Sequence, residues 1–274
     1  MNWIIRDLEK QDEMEFCNCL ESWSDEMAES GDHKAHWLEQ MKTEGTIGVK
    51  LAITDDGKYA GMIQYYPSLY SPAESSSGDI WFIHCIWVHG YKKGQGNFQG
   101  QGIGKALLAA AEKDILSRGG AAILAWGLSL PFWMKSRWYK KNGYHKADKT
   151  GIRELVIKSL DGTEHSGSWR KTAKLPPARD ANGNLLATTF MSGACTVTAI
   201  AYERLKNVAS NLPVTMKLID ASKPENLDEW GLADVIFIGR RRIEIGPPPS
   251  EAKLSRILRK EIKRIKLSRK SGER

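Results

Sequence analysis

The sequence predicts a mixed α/β (α+β) architecture in two parts. Short apolar, β-rich segments alternate with helical segments from residue 3 to residue 158. A polar stretch at 160–182, holding Pro176-Pro177 and Asp180-Ala181-Asn182-Gly183, interrupts the alternation, which then restarts. The length of 274 residues fits two domains at roughly 150 residues each. Residues 1–160 are expected to form the first, 161–182 a linker and 183–274 the second.

Composition narrows the class. With 41% hydrophobic and 27% charged residues, a disordered chain, a collagen-like repeat and a disulfide scaffold are excluded. The longest uncharged run, 119–134, is broken by Gly127 and Pro131 and is shorter than the about 20 apolar residues that cross a bilayer. Met1-Asn2-Trp3-Ile4-Ile5-Arg6 carries no apolar signal core. Cys17, Cys19, Cys85 and Cys195 form no CxxC pair and no zinc spacing, so reduced cysteines in a cytoplasmic protein without a metal site are expected. The net charge of +7 is local. Residues 251–274 hold ten Lys/Arg and three Glu, which leaves residues 1–250 neutral. A nucleic-acid partner is therefore not expected.

The elements follow in order. Trp3–Asp7 reads as a strand, and 11–22 and 34–41 as helices. Gly48–Thr54 and 59–66 read as a hairpin closed by Asp55-Asp56-Gly57. Residues 68–78 form a Ser/Pro/Gly loop. Ile80–Val88 is apolar, as a buried central strand should be. Strict alternation places Phe82, His84, Ile86 and Val88 on one of its faces. A Gly-rich stretch at 90–104 leads into a helix at 105–117, ended by Gly119-Gly120. Residues 121–126 are a buried strand, 132–142 a helix closed by Gly143, and 153–158 a strand. Beyond the linker come strand Leu185–Met191, helix Thr196–Ala209, strand Val214–Asp220 and helix Pro224–Trp230. A hairpin at 235–239 and 242–245 follows, then a final helix capped by Ser250 and running to about Leu267.

The glycines after the central strand carry the chemistry. The segment Gln99-Gly100-Gln101-Gly102-Ile103-Gly104-Lys105 passes from loop into helix. Glycines let backbone N–H groups approach a ligand without Cβ interference. A helix N-terminus adds unpaired N–H groups and partial positive charge. Together they suit a phosphate or pyrophosphate; a flexible loop is the alternative. The P-loop pattern fails because Ala106 follows Lys105, and the dinucleotide fingerprint fails at the helix start.

Gln99-Gly100-Gln101-Gly102-Ile103-Gly104 resembles the Q/R-x-x-G-x-G/A motif of the GCN5-related N-acetyltransferases (GNAT superfamily). Downstream, Trp138-Tyr139-Lys140-Lys141-Asn142-Gly143-Tyr144 resembles that family's F-Y-x-x-x-G-F segment. The resemblance covers roughly residues 2–160 and departs at one place. Ten residues, including Gly94-Gln95-Gly96, separate Val88 from Gln99, as an insertion of about six residues would. The resemblance implies a mixed sheet flanked by helices and acetyl-CoA as donor. The pyrophosphate would rest on Gln99, Gly100, Gln101, Gly102, Ile103, Gly104 and Lys105. The pantetheine arm would pair with the strand edge ending at Val88. Tyr139 would protonate the leaving thiolate; an amphipathic core tyrosine is the other reading. His84 is the candidate base, or else a core or pocket-lining histidine, with Glu74 and Asp79 in reserve. The acceptor pocket would draw on 20–45, 65–80 and 126–138. Trp81, Trp87, Trp126, Trp133 and Trp138 crowd this half of the chain.

Residues 183–268 read β-α-β-α-β-β-α, with Ser192-Gly193-Ala194-Cys195 between the first strand and helix. This resembles the thioredoxin-like fold, with the YoaP-type extension of GNAT proteins as the nearest architecture. Ser192 stands where the first cysteine of C-x-x-C would be, and no proline precedes the third strand, so dithiol exchange is not expected. Cys195 is a candidate reactive thiol near a helix N-terminus, or else a small buried residue. The expected function is N-acetyl transfer to an unidentified primary amine, on a small molecule or a protein, in a ternary complex. The alternative is an acyl-CoA-sensing or thiol-reactive protein served by its second domain. A homodimer is compatible with either.

Overall fold

The computed structural model describes residues 2–130, 134–243 and 246–272, with side chains through Leu267. In chain order, β1 (Trp3–Asp7), a 3-10 turn (Lys10–Asp12) and α1 (Glu13–Cys17) precede α2 (Asp25–Ala28) and α3 (His33–Thr43). Next come β2 (Gly48–Thr54), β3 (Tyr59–Pro67), β4 (Ala73–Ser75), β5 (Ile80–Val88) and α4 (Ile103–Ser117). Then follow β6 (Ala122–Leu128), α5 (Ser136–Lys140), β7 (His145–Thr150), β8 (Arg153–Ser159) and β9 (Gly167–Trp169). The chain continues through β10 (Leu185–Met191), α6 (Thr196–Ala209), β11 (Val214–Asp220) and α7 (Pro224–Trp230). It ends with β12 (Val235–Ile238), β13 (Arg241–Ile243) and α8 (Glu251–Gly272). The architecture is mixed α/β, as the sequence predicts.

Backbone contacts divide the chain into two units. Met1–Ser24 with Leu38–Arg170 forms one, and Asp25–Trp37 with Lys171–Arg274 the other. The first is built on a seven-stranded sheet in the order β1-β2-β3-β5-β6-β8-β7. Only β5 and β6 run parallel. That step needs a crossover, and α4 supplies it. The α4 residues Leu107, Leu108, Ala111 and Ile115 are buried against Ile63, Tyr65, Ile83, Ile123 and Val156. The other unit has a four-stranded sheet in the order β11-β10-β12-β13. There α6 links the parallel pair β10 and β11, and β12 and β13 form an antiparallel hairpin. Leu254, Ile257 and Leu258 of α8 pack with Leu205, Ile236 and Ile238 on one side of this sheet. Phe190, Leu227, Trp230 and Phe237 fill the opposite side. Arg204 of α6 ties the early segment into this unit, donating to Glu26 at 2.8 Å and to Glu29 at 2.6 Å.

Several elements differ from expectation. The helix expected at 11–22 ends at Cys17, because Cys19 and Leu20 adopt left-handed φ of 54° and 62°. The polar segment His145–Thr150 is strand β7 at the sheet edge, where exposed Lys146 and Lys149 can face water. β4, inside the expected loop, pairs with β9, inside the expected linker. The helix expected at 132–142 is the five-residue α5; residues 132 and 133, with Trp133, lie outside the described set, as do 244 and 245. Ser250 caps α8 as expected, accepting from the Lys253 amide, and the helix runs on to Gly272. Among the described residues no helix is long and apolar enough to cross a membrane.

Candidate active site

The site is organised by an irregularity in the central strand. β3 residues Gln64 and Tyr65 pair with Cys85 and Ile83, which leaves His84 as an extra residue in β5. This β-bulge overturns the simple alternation. Trp81 and Ile83 face the α4 core, and so do Ile86 and Val88, while Phe82 and His84 face the other way. The expected single face of Phe82, His84, Ile86 and Val88 is therefore split in two. The bulge also marks the point where β5 and β6 part. Their parallel pairing covers Ile80–Ile83 with Ala122–Ala125 and stops there, although β5 continues to Val88 and β6 to Leu128. At the opening, the Trp126 indole N–H donates to the His84 carbonyl at 2.9 Å.

The ten residues after Val88 form a closed loop. The Phe98 amide donates to the His89 carbonyl at 2.9 Å, and the His89 amide to the Ala60 carbonyl at 3.0 Å. Phe98 itself is buried in the core. The Gln99 side chain lies on Gly90, where a Cβ would sit 2.2 Å from its amide nitrogen. The insertion is thus pinched shut at its base, and residues 99–104 begin beside the end of β5. Nothing in the sequence pattern marks His89 or Phe98 for this task.

Gly102 is the N-cap of α4 with φ 82°, and Gly100 has φ 78°. Only glycine adopts such angles cheaply. The Gln99 amide is engaged by Asn97 Oδ1 at 3.1 Å. The first turn bond of the helix is from the Ala106 amide to the Gly102 carbonyl. Amides 100–105 donate to no partner among the described residues, so they present a row of donors at the positive end of a fifteen-residue helix. The exposed Lys105 lies on its first turn. A Cβ on Gly104 would meet Trp138 at 3.4 Å and Val88 at 3.6 Å. The cradle, the end of β5 and the start of the tyrosine segment therefore converge at one point.

Tyr139 sits on α5, which is fastened to β8. Glu154 accepts from Ser136 Oγ at 2.5 Å and Lys140 Nζ at 2.7 Å. These bonds, Lys140 first, hold the Glu154 carboxyl below the usual range. The Tyr139 ring packs against Trp138 and Tyr144 at centroid distances of 5.0 and 5.3 Å. Burial drives its hydroxyl well above the ordinary phenol range, and Cys85 at the bulge adds to the push. The group is therefore a neutral O–H at physiological pH, able to give a proton and not to take one.

His84 Nδ1 lies 2.7 Å from the hydroxyl of Tyr66, a buried residue. Tyr66 falls within the 65–80 stretch expected to contribute to the acceptor pocket, but its bond to His84 is not legible in the sequence. The reserve carboxylates stand elsewhere: Asp79 is exposed at the paired end of β5, five residues or about 16 Å along the strand from His84. Glu74 is exposed on β4. Arg153 stacks between Trp126 and Trp169, 5.2 and 4.4 Å from their ring centres. Trp81 belongs to the core, where Arg118 lies over it. In the other unit, half-buried Cys195 is the N-cap of α6. Ser192 Oγ bonds both Asp234 oxygens, at 3.0 and 2.9 Å. Among the described residues no group of three or more His, Cys, Asp or Glu could hold a metal.

Solved structures of low identity are similar to this chain. One is a PaiA N-acetyltransferase from Thermoplasma acidophilum in complex with coenzyme A, at 19% identity, covering 58% of this chain and 100% of that one, with a TM-score of 0.43. Another is the GNAT family N-acetyltransferase YhbS from Escherichia coli in complex with CoA, at 15% identity, 62% and 90% coverage and a TM-score of 0.43. A third is a GNAT family acetyltransferase from Brucella melitensis in complex with acetyl-CoA, at 14% identity, 60% and 95% coverage and a TM-score of 0.37. No curated protein matches the chain. The acetyltransferase (GNAT) family model matches residues 5–144, just over half of the sequence. The chain belongs to the acetyltransferase (GNAT) family.

Proposed function

We propose that the first unit transfers an acetyl group to a primary amine by direct attack within a ternary complex. The chain is an acyltransferase and its donor is acetyl-CoA. The observation that carries the site assignment is the convergence at Gly104 of Val88 and Trp138, beside a strand pair that has just parted. Residues 100–105 fit a diphosphate, since their amides have no acceptor among the described residues and three of the six positions carry no Cβ. The β5 edge beyond Ile83, no longer covered by β6, fits an amide-bearing arm. When bound, acetyl-CoA supplies an activated thioester.

The remaining steps fall to the chain's own groups. An alkylammonium with pKa about 10 must lose a proton before it attacks. The proposed acceptor of that proton is His84, and the Tyr66 hydroxyl 2.7 Å from its Nδ1 supports the reading by orienting the ring. An amide on the open edge of β5 would bond the developing oxyanion. Tyr139, kept protonated by burial, would hand its hydroxyl proton to the departing sulfur. Free-thiol release from acetyl-CoA with a panel of small amines and lysine peptides tests this. Heat of CoA binding with no turnover for any amine would overturn the transferase reading of this site.

For the second unit we propose a thioredoxin-like domain. The reading is supported by the strand order β11-β10-β12-β13, with a right-sized α6 crossover and a closing α8. The N-cap position of Cys195 favours the alternative in which this unit is thiol-reactive.

A further inference from the structure

We infer that His89 is a positioning residue: its imidazole, bonded at once to Trp23 and to the loop carbonyl of Gly96, locks the inserted loop and thereby fixes the amide cradle. The inference rests on the reading of residues 100–105 as the coenzyme cradle.

His89 is fully buried and uses every hydrogen-bonding group it has. Its amide donates to Ala60 and its carbonyl accepts from Phe98. Nδ1 lies 2.6 Å from the Gly96 carbonyl, and Nε2 lies 3.3 Å from Trp23 Nε1. A carbonyl can only accept and an indole N–H can only donate. The imidazole is therefore held in one tautomer, with the proton on Nδ1 and the lone pair on Nε2.

Trp23 is the other jaw of the clamp. Its indole presses on Gly94 so closely that a Cβ there would lie 2.0 Å from Nε1, and Gly94 has φ 71°. Lys93 Nζ lies 4.8 Å from the Trp23 ring centre. The Tyr91 ring stands 5.6 Å from His89 and 6.1 Å from Trp23. The Gln95 side chain accepts from the Tyr59 amide at 3.1 Å. The charged groups facing this corner are Lys93 on the loop and Glu21, which bears on the Tyr91 hydroxyl. From β3 and the loop base only Ala60 and Phe98 bond to it. Releasing the loop frees the base at residues 98–99, and with it the place where Gly100 and Gly102 begin the cradle.

The test follows the Trp23 indole N–H by NMR in the coenzyme-free protein and CoA affinity by calorimetry, in the wild type, His89→Leu and His89→Asn. His89→Leu removes both ring bonds, so its Trp23 signal is expected to shift and its CoA binding to weaken. The loss should be about tenfold or more, the size expected when one buried donor loses its acceptor. The same variant should raise the acetyl-CoA KM while sparing kcat at saturation. His89→Asn, whose amide keeps a donor toward Gly96, should recover part of the affinity. A His89→Leu protein with the wild-type Trp23 signal overturns the lock. A shifted Trp23 signal with wild-type CoA affinity overturns its coupling to the cradle. No CoA binding by the wild type overturns the cradle itself.

Discussion

Gly102→Ala and Gly104→Ala, two residues apart in the same turn, should move stability in opposite directions. Gly102 sits at φ 82° with nothing within 4 Å of a built Cβ, so the whole penalty is conformational. Holding alanine in the left-handed region costs about 1–2 kcal/mol. At roughly 2–4 °C per kcal/mol for a unit of this size, the melting temperature should fall by about 2–8 °C. Gly104 lies inside α4, and its added methyl meets Trp138 and Val88 at 3.4 and 3.6 Å, ordinary contact distances. Replacing a helical glycine there gains up to about 1 kcal/mol. Binding separates the pair further. If the Gly102→Ala turn relaxes in the free enzyme, coenzyme must restore the strained angle, and affinity falls by about 5- to 30-fold. The Gly104→Ala methyl points at Val88 and Trp138, away from the amides, and acetyl-CoA KM should stay within about threefold. Thermal unfolding and acetyl-CoA KM at saturating amine read both quantities. Wild-type CoA affinity in Gly102→Ala, or a lowered melting temperature in Gly104→Ala, would refute the reasoning.

Tyr139→Phe should lower kcat by about 10²–10⁴-fold with little change in acetyl-CoA KM; unchanged turnover removes the residue from the mechanism. Because its pKa is raised, Tyr139 keeps its proton through neutral pH, so kcat in the wild type should show no falling limb from it there. His84→Ala should lose the acidic limb of the pH–rate profile, and retention of that limb excludes His84 as the base. Alkylation of Cys195 should be rapid below neutral pH if the second unit is thiol-reactive; inertness until denaturation ends that alternative. Tyr59, raised to about 12 by burial and its bond to Asp12, contributes stability below about pH 10 that is lost as pH rises through 12. Tyr59→Phe should flatten the fall in melting temperature across that window.

The sequence was most informative where local pattern and packing agree. β1, β10, α6, β11 and α7 lie at the expected residues: β10 is an apolar run, α6 carries an apolar stripe, and Pro224 at the start and Gly231 at the end bound α7. The glycines of the cradle were legible for a related reason: Gly102 has a backbone angle that only glycine adopts cheaply. β7 was not, since an edge strand of Lys, Asp and His carries no hydrophobic period. The bulge at His84 was not, because it adds one residue without any turn residue to announce it, and that single residue reverses the faces of Ile86 and Val88. The pairing of β4 with β9 joins residues about 90 apart, beyond the reach of a local reading. Trp126 and the 65–80 stretch holding Tyr66 were expected to contribute to the acceptor pocket, but their bonds to His84 were not legible, because an apolar pattern hides polar tips.

The early excursion at Asp25–Trp37 has a consequence for how the protein is made. Its anchor, Arg204, is 178 positions downstream of Glu26. At ribosomal speeds of about 5–20 residues per second, those carboxylates wait roughly 10–35 s for their guanidinium to emerge. During that interval the nascent N-terminal half carries a segment whose Met27, buried in the folded chain, lacks the later residues that cover it. A stop codon placed after Arg170 would make that exposure permanent. Chaperone demand, and the yield of any such shortened product, should therefore be governed by thirteen residues that a cut by sequence order would assign to the wrong half.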